Sequence, residues 1–236
     1  MNIEWALAGG AVGLVAGLLL RGTVFQLSVA SGEPLRTTCQ RCAGPVGGRF
    51  AFRCRSCHRW LGRPLVLELA TAAVLGLLLW RFAGEPAAAG FAFVGVIGVA
   101  LAAIDISVQR LPDRLTLPLY PGLVALFGLA AIVDGHPSEL VRALLGGSAL
   151  GGGYLVLAIL SRGQLGGGDV KLAGGLGIAL GWLGWPTLLT GAAAGFVLMG
   201  VVSVALLLAG RIAPKDSISF GPFMLAGALL TVLTGT

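Results

Sequence analysis

The chain has 236 residues, of which 56% are apolar and only 11% charged, with a mean hydropathy of +0.93 and a net charge of +6. An ordinary soluble domain carries about a quarter charged residues, so this composition cannot cover a water-facing surface and excludes a soluble globular protein. The surplus of apolar surface must face lipid.

Taken in chain order, the first segment is Met1-Asn2-Ile3-Glu4 followed by an apolar run to residue 20. It has no basic n-region and no small-residue cleavage site, so residues 4–20 read as a retained first span rather than a secretory signal. Next comes a basic loop, 21–63, that holds all four cysteines of the chain, as Cys39-x-x-Cys42 and Cys54-x-x-Cys57. Two such pairs form the pattern of a four-thiolate zinc site, each pair supplying two corners of a tetrahedron. Four thiolates close the coordination sphere, so the role is structural, and a short loop with few large apolar residues depends on such a staple to fold. His58 reads as a surface residue beside a ligand.

Beyond the loop the apolar pattern gives seven further spans, 64–82, 86–104, 115–133, 140–160, 171–185, 187–209 and 220–235, each near the length of about 20 residues that a membrane requires. Glycines and Pro186 interrupt the sixth, which leaves seven spans plus a re-entrant segment as an alternative. The expected fold is an all-α, polytopic membrane helix bundle of about eight spans with a small cytoplasmic zinc-binding loop. Abundant glycine, 39 residues, suits close helix packing in lipid.

Loop charge orients the bundle. With the N-terminus outside, all but Arg81 and Arg142 of the 16 basic residues fall on the internal side, among them Arg49, Arg63, Arg162 and Lys215. The positive-inside rule then places the cysteine loop in the cytoplasm, a reducing compartment that disfavours disulfides. The net charge therefore reports topology and contact with anionic lipid, and not nucleic-acid binding.

Ionisable residues in or at the ends of membrane helices default to functional roles. Among the internal-side acids are Glu68, within the second span, and Asp216 in the last internal loop. Asp113 follows Pro112 and reads as a cap of the next helix. Asp105 ends the third span, where a negative charge opposes the helix dipole, so capping does not explain it. Asp169 closes Gly166-Gly167-Gly168-Asp169 and alone could be an N-cap beside a flexible linker; the glycines would let the backbone adopt conformations other residues avoid. Asp105 and Asp169 fall at the same boundary of their spans, so packing could pair them. Two adjacent carboxylates share a proton; the ionised one can activate water while the protonated one polarises a carbonyl.

The segments Asp105-Ile106-Ser107-Val108-Gln109-Arg110-Leu111-Pro112-Asp113 and Gly166-Gly167-Gly168-Asp169-Val170-Lys171-Leu172 resemble the two signatures of the bacterial type IV prepilin peptidases, membrane aspartic peptidases of the GxGD type. Ser219-Phe220-Gly221-Pro222-Phe223 is similar to the closing segment of that family, and Glu68-Leu69-Ala70-Thr71 to the stretch after its cysteine loop. The resemblance implies removal of the leader of type IV pilins or secretion pseudopilins at the cytoplasmic face of the inner membrane. It makes Asp105 and Asp169 the catalytic pair and puts Gly166, Gly168 and Lys171 in the active-site loop. It divides the chain into a first span with the four-cysteine loop, 1–63, and an embedded peptidase domain, 64–236. Many family members also methylate the new N-terminus with S-adenosylmethionine. Here Gly17-Leu18-Leu19-Leu20-Arg21-Gly22-Thr23-Val24-Phe25 replaces the Gly-Ser-Phe-Leu-Asn segment of the family and the interval between cysteine pairs is short, which leaves methyl transfer open. An ion-coupled transporter with a structural zinc loop is the rival reading, and a membrane scaffold that docks a partner through that loop is the third.

Overall fold

The computed structural model describes residues 2–30, 32–47, 51–62, 65–161, 165–213 and 218–235. Arg49, Arg63, Arg162, Lys215 and Asp216 lie outside the described residues. Among those described there are eight helices and no strand: α1 (Asn2–Leu27), α2 (Val66–Arg81), α3 (Ala88–Val108), α4 (Asp113–Asp134), α5 (Pro137–Leu160), α6 (Gly167–Leu183), α7 (Trp185–Leu208) and α8 (Gly221–Thr234). The chain is thus an all-helical, polytopic membrane protein. Five of these helices (α1, α3, α4, α5 and α7) are long and apolar enough to cross a membrane. The chain forms two compact units, Met1–Pro112 and Asp113–Thr236.

In the first unit α1 packs along α2 through small residues. Gly9, Gly13 and Gly17 recur every fourth residue and are buried, so they share one face. A Cβ at Gly13 would lie 2.5 Å from the Cα of Ala72, and one at Gly17 the same 2.5 Å from the Cα of Glu68. Lipid offers no hydrophobic drive between helices, and close backbone approach of this kind supplies the packing in its place. Gly13→Ala is expected to force the helices apart and destabilise the protein by about 1–3 kcal/mol. Gly152→Ala, where nothing lies within 4 Å, serves as the neutral control in the same detergent thermal-unfolding measurement. α1 continues to Leu27, well past residue 20, so Arg21 is not a loop residue: it is the next position of the glycine stripe and is buried.

In the second unit α6 is the central helix, and every residue from Leu172 to Trp182 is buried. Its glycines are contact surfaces and do not break it. A Cβ at Gly177 would sit 2.6 Å from the carbonyl oxygen of Gly146 on α5. The segment is one continuous helix, and the interruption expected from Pro186 is the turn into α7. There Gly184 has φ +145° and Pro186 occupies the first turn of α7, where a missing N–H costs nothing. Arg142 of α5 donates from Nε to the carbonyl of Gly181 at 2.9 Å and from Nη2 to that of Trp182. It therefore satisfies the C-terminal carbonyls of α6, which explains one of the two basic residues that loop charge leaves on the far side. α7 and α8 meet at Gly195 and Gly227, where a Cβ on Gly227 would be 2.4 Å from the nitrogen of Gly195.

Candidate functional site

The four cysteines converge. Their sulfurs all lie within 4.8 Å of one another, with Cys39 Sγ to Cys57 Sγ at 3.8 Å and Cys42 Sγ to Cys54 Sγ at 3.5 Å. A tetrahedral zinc with Zn–S bonds of about 2.3 Å requires sulfurs about 3.8 Å apart, so the residues present fit that ion. The two halves are built alike. Ala43 N–H donates to the carbonyl of Cys39 at 2.9 Å and His58 N–H to that of Cys54 at 3.1 Å, and both donors adopt left-handed φ, 55° and 53°. His58 thus shapes a turn and stays out of the ligand cluster. Gly44 is required by space, since a Cβ there would fall 2.4 Å from Ser56 Oγ.

The backbone presets the thiols unequally. The N–H of Cys57 draws the Cys54 thiol down to about 6 against the opposing effect of burial. The N–H groups of Arg41 and Cys42 lower Cys39. At Cys42 the N–H of Gly44 pulls down, yet the thiols of Cys54 and Cys57 together with desolvation outweigh it and push the group up to about 12. Metal binding must therefore displace protons, the Cys42 proton above all.

Asp105 lies in the first unit, buried one turn before the end of α3, so the helix runs past the expected boundary at 104. Its carbonyl accepts from the N–H of Gln109 at 2.8 Å, the left-handed residue that closes the helix. This end of α3 is tied to the chain leaving α1: Ser107 Oγ donates to Ser28 Oγ at 3.3 Å, and Arg110 Nη1 to the carbonyl of Ala30 at 3.1 Å.

Asp169 lies in the second unit, in the first turn of α6, with Gly166 as the N-cap residue. Its N–H donates to the carbonyl of Gly166 at 3.0 Å. Gly166 has φ −69° and ψ 142°, ordinary extended backbone, so unusual conformation is not the reason for glycine here. Proximity is: a Cβ at Gly166 would stand 3.1 Å from Asp169 Oδ2. Gly168 is already within the helix.

Residues of α4 hold this turn. Tyr120 Oη donates to the carbonyl of Lys171 at 2.8 Å, and Lys171 Nζ pairs with Asp113 Oδ1 at 2.6 Å. Asp113 stands in the first turn of α4, where the dipole favours it, and Lys171 is its partner. Their side chains are 58% and 39% exposed, so Lys171→Met is expected to cost at most about 1 kcal/mol of stability in the same unfolding measurement. Tyr154 of α5 is buried. It stacks on Phe196 of α7 at 5.6 Å and on Phe220, at the start of α8, at 6.0 Å. The SFGPF segment thereby packs against α5 and α7.

Sequence reasoning missed Arg21 and the two tyrosines. Arg21 donates from Nε to Glu68 Oε1 at 3.0 Å and again from Nη2, and its Nη1 donates to the carbonyl of Leu61 at 3.3 Å. The four-residue spacing from Gly17 could have placed it on the α2 face. Nothing in spacing alone singles out Tyr120 or Tyr154.

A sequence profile described as the type IV leader peptidase family matches residues 92–210, a range that contains both Asp105 and Asp169. The chain is 34% identical to a prepilin leader peptidase/N-methyltransferase of Burkholderia pseudomallei, over 88% of this chain and 62% of that protein. It therefore spans less than two thirds of that relative's length. It is also 34% identical to a protein of the same name from Klebsiella pneumoniae (77% of this chain, 85% of the relative). With one from Dickeya chrysanthemi the identity is 30%, over 98% and 94% of the two chains. No solved structure matches the chain.

Proposed function

Because the chain belongs to the type IV leader peptidase family, we propose that it is a membrane aspartic endopeptidase that removes the leader of type IV prepilins or pseudopilins. The observation that carries this reading is the occurrence of both aspartate motifs, Asp105 to Asp113 and Gly166 to Lys171, inside the family-matched range 92–210. The family match replaces the transporter reading.

Asp105 and Asp169 are the catalytic pair in this proposal. One carboxylate accepts a proton from the attacking water as its oxygen adds to the scissile carbonyl, and the protonated partner donates to the developing oxyanion. The proton taken from water then passes to the leaving amine, and the oxyanion's proton returns to its carboxylate as the carbonyl re-forms, so the bond is hydrolysed with no covalent intermediate. Gly166 keeps the space beside Asp169 Oδ2 clear. Tyr120 and the Lys171–Asp113 pair fix the turn that carries it.

The bundle resides in the inner membrane with its N-terminus outside and its cysteine loop in the cytoplasm, a reading that rests on loop charge. Cys39, Cys42, Cys54 and Cys57 hold a structural zinc, supported by the sulfur spacing. The names of the relatives support a second activity, methylation of an amine with S-adenosylmethionine as donor.

The test is expression in a bacterium whose own prepilin peptidase gene is deleted, with the mobility of a pilin as the readout. Restored processing is expected. A pilin that stays at precursor size, with the protein present in the membrane and several prepilins tried, contradicts the proposal.

A further inference from the structure

A mostly apolar cleft of about 370 Å3 opens in the first unit, lined by Leu14, Leu18 and Arg21 of α1, by Trp60 and Leu65, and by Glu68 of α2. The ionic groups in its wall are already committed. Arg21 donates from Nε and Nη2 to Glu68 Oε1 and from Nη1 to the carbonyl of Leu61. Glu68 Oε2 is buried with no hydrogen-bond partner and does not open into the cleft. Leu14 and Leu65 are 44% and 62% exposed, so the surface left to an occupant is hydrocarbon.

The rim of the cleft carries charge of one sign. The described part of the cysteine segment holds Arg36, Arg41, Arg53, Arg55 and Arg59 against a single acid, Glu33. These arginines outweigh Glu33 even together with the double negative charge that four thiolates leave on a zinc. Among the described residues, none of Arg41, Arg53, Arg55 and Arg59 forms an ion pair. Arg53 is the one fixed beside the cleft. It faces Trp60 across an antiparallel bridge, and its guanidinium lies 4.1 Å from the centroid of the Trp60 ring. A guanidinium over an aromatic ring keeps its in-plane N–H groups for phosphate, and no described residue accepts from Arg53. Trp60 itself lines the cleft, and Phe52 lies 5.9 Å from it. Tryptophan of this kind sits at headgroup level, with hydrocarbon on one side and polar groups on the other.

We propose that this cleft holds one anionic phospholipid, with an acyl chain along Leu14, Leu18 and Leu65 and the phosphate on the guanidinium of Arg53. In the orientation proposed above the rim meets the cytoplasmic leaflet, where acidic lipids are attracted by basic clusters beside the spans. A zwitterionic headgroup brings its own cation, which the arginines repel, and a free phosphate has nothing to place against the leucines. The lipid joins two parts of the unit, since Arg53 and Trp60 belong to the cysteine segment and the leucines belong to α1 and the start of α2. The inference goes beyond leader cleavage and is read without it.

The test is titration of the purified full-length protein in detergent with phosphatidylglycerol and, separately, with phosphatidylcholine, the bound species being counted by native mass spectrometry. One phosphatidylglycerol per chain is expected, bound about tenfold more tightly than phosphatidylcholine. Arg53→Gln is expected to weaken phosphatidylglycerol about tenfold, the loss of a charge-assisted contact. Arg55→Gln removes the same charge from a side chain with no ring contact to Trp60, and should leave the affinity within about twofold. Leu18→Trp fills the cleft and should weaken both lipids. Arg53 is exposed, so its variant remains informative if Leu18→Trp fails to fold, and zinc content checks the fold of each. Equal losses in Arg53→Gln and Arg55→Gln would mean diffuse attraction and overturn the proposal. Equal affinity for the two lipids overturns it, as does unchanged binding by a folded Leu18→Trp. Displacement of the lipid by glycerol phosphate would make this a free-phosphate site, and displacement by an apolar peptide would give the cleft to a peptide; either result contradicts the proposal.

Discussion

Asparagine at either Asp105 or Asp169 is expected to lower leader cleavage by about 10³-fold or more, within the range that loss of a positioned acid or base produces. Asparagine keeps the shape of the side chain and can neither take up nor release the proton. The fold should survive. Asp105 also contributes its carbonyl to the closing turn of α3, which the substitution leaves alone. At Asp169 a purely structural role gives a different result. An acid in the first turn of a helix is worth about 0.3–1 kcal/mol through the dipole, so Asp169→Asn would then cost a little stability and no activity. Cleavage rate against thermal unfolding of the same variants separates the two roles. Metal content serves as the check that the first unit is intact.

Removal of the metal is expected to have the next largest effect, and to be confined to the segment between α1 and α2. Structural zinc contributes about 10–16 kcal/mol of apparent binding free energy at neutral pH, far more than the few apolar contacts of this segment can supply. Cys54 is the most buried of the four, at 1% exposure, so Cys54→Ser should abolish stoichiometric zinc and open residues 32–62 to limited proteolysis. The helices should remain protected. Retention should also depend on pH in a definite direction. Binding displaces protons, so affinity falls as the pH falls. The loss should steepen once the pH drops through about 6, where Cys54 itself becomes protonated in the metal-free segment. Zinc content after dialysis at stepped pH checks this, and retention independent of pH would contradict a thiolate site.

Much of the architecture was legible in the sequence because lipid imposes simple demands. All eight expected spans correspond to helices, with ends shifted by at most four residues except at α1. The shifts at α1 and α6 have physical causes. α1 runs on to Leu27 because Arg21 has a buried partner, and a charge that looks like a loop residue becomes part of a helix once Glu68 neutralises it. α6 begins at Gly167 because three glycines followed by an acid make an acceptable first turn, and Gly166, which reads as linker, gives clearance to the Asp169 carboxylate. The cysteine cluster was legible from spacing alone, since two C-x-x-C turns leave little freedom. Which residues steady the Asp169 turn was not legible. Tyr120 acts through tertiary geometry, and no local pattern marks it. The unused oxygen of Glu68 was equally hidden, because it depends on how a guanidinium 47 residues away divides its hydrogen bonds.

Asp105 and Asp169 are proposed to hydrolyse a leader peptide bond together. The most direct test is incubation of the purified full-length protein with a prepilin in lipid, with the masses of both products read alongside those from Asp105→Asn and Asp169→Asn. A single cut at the leader junction is expected from the wild type, and intact substrate with each variant. Cleavage at an undiminished rate by either variant would contradict it.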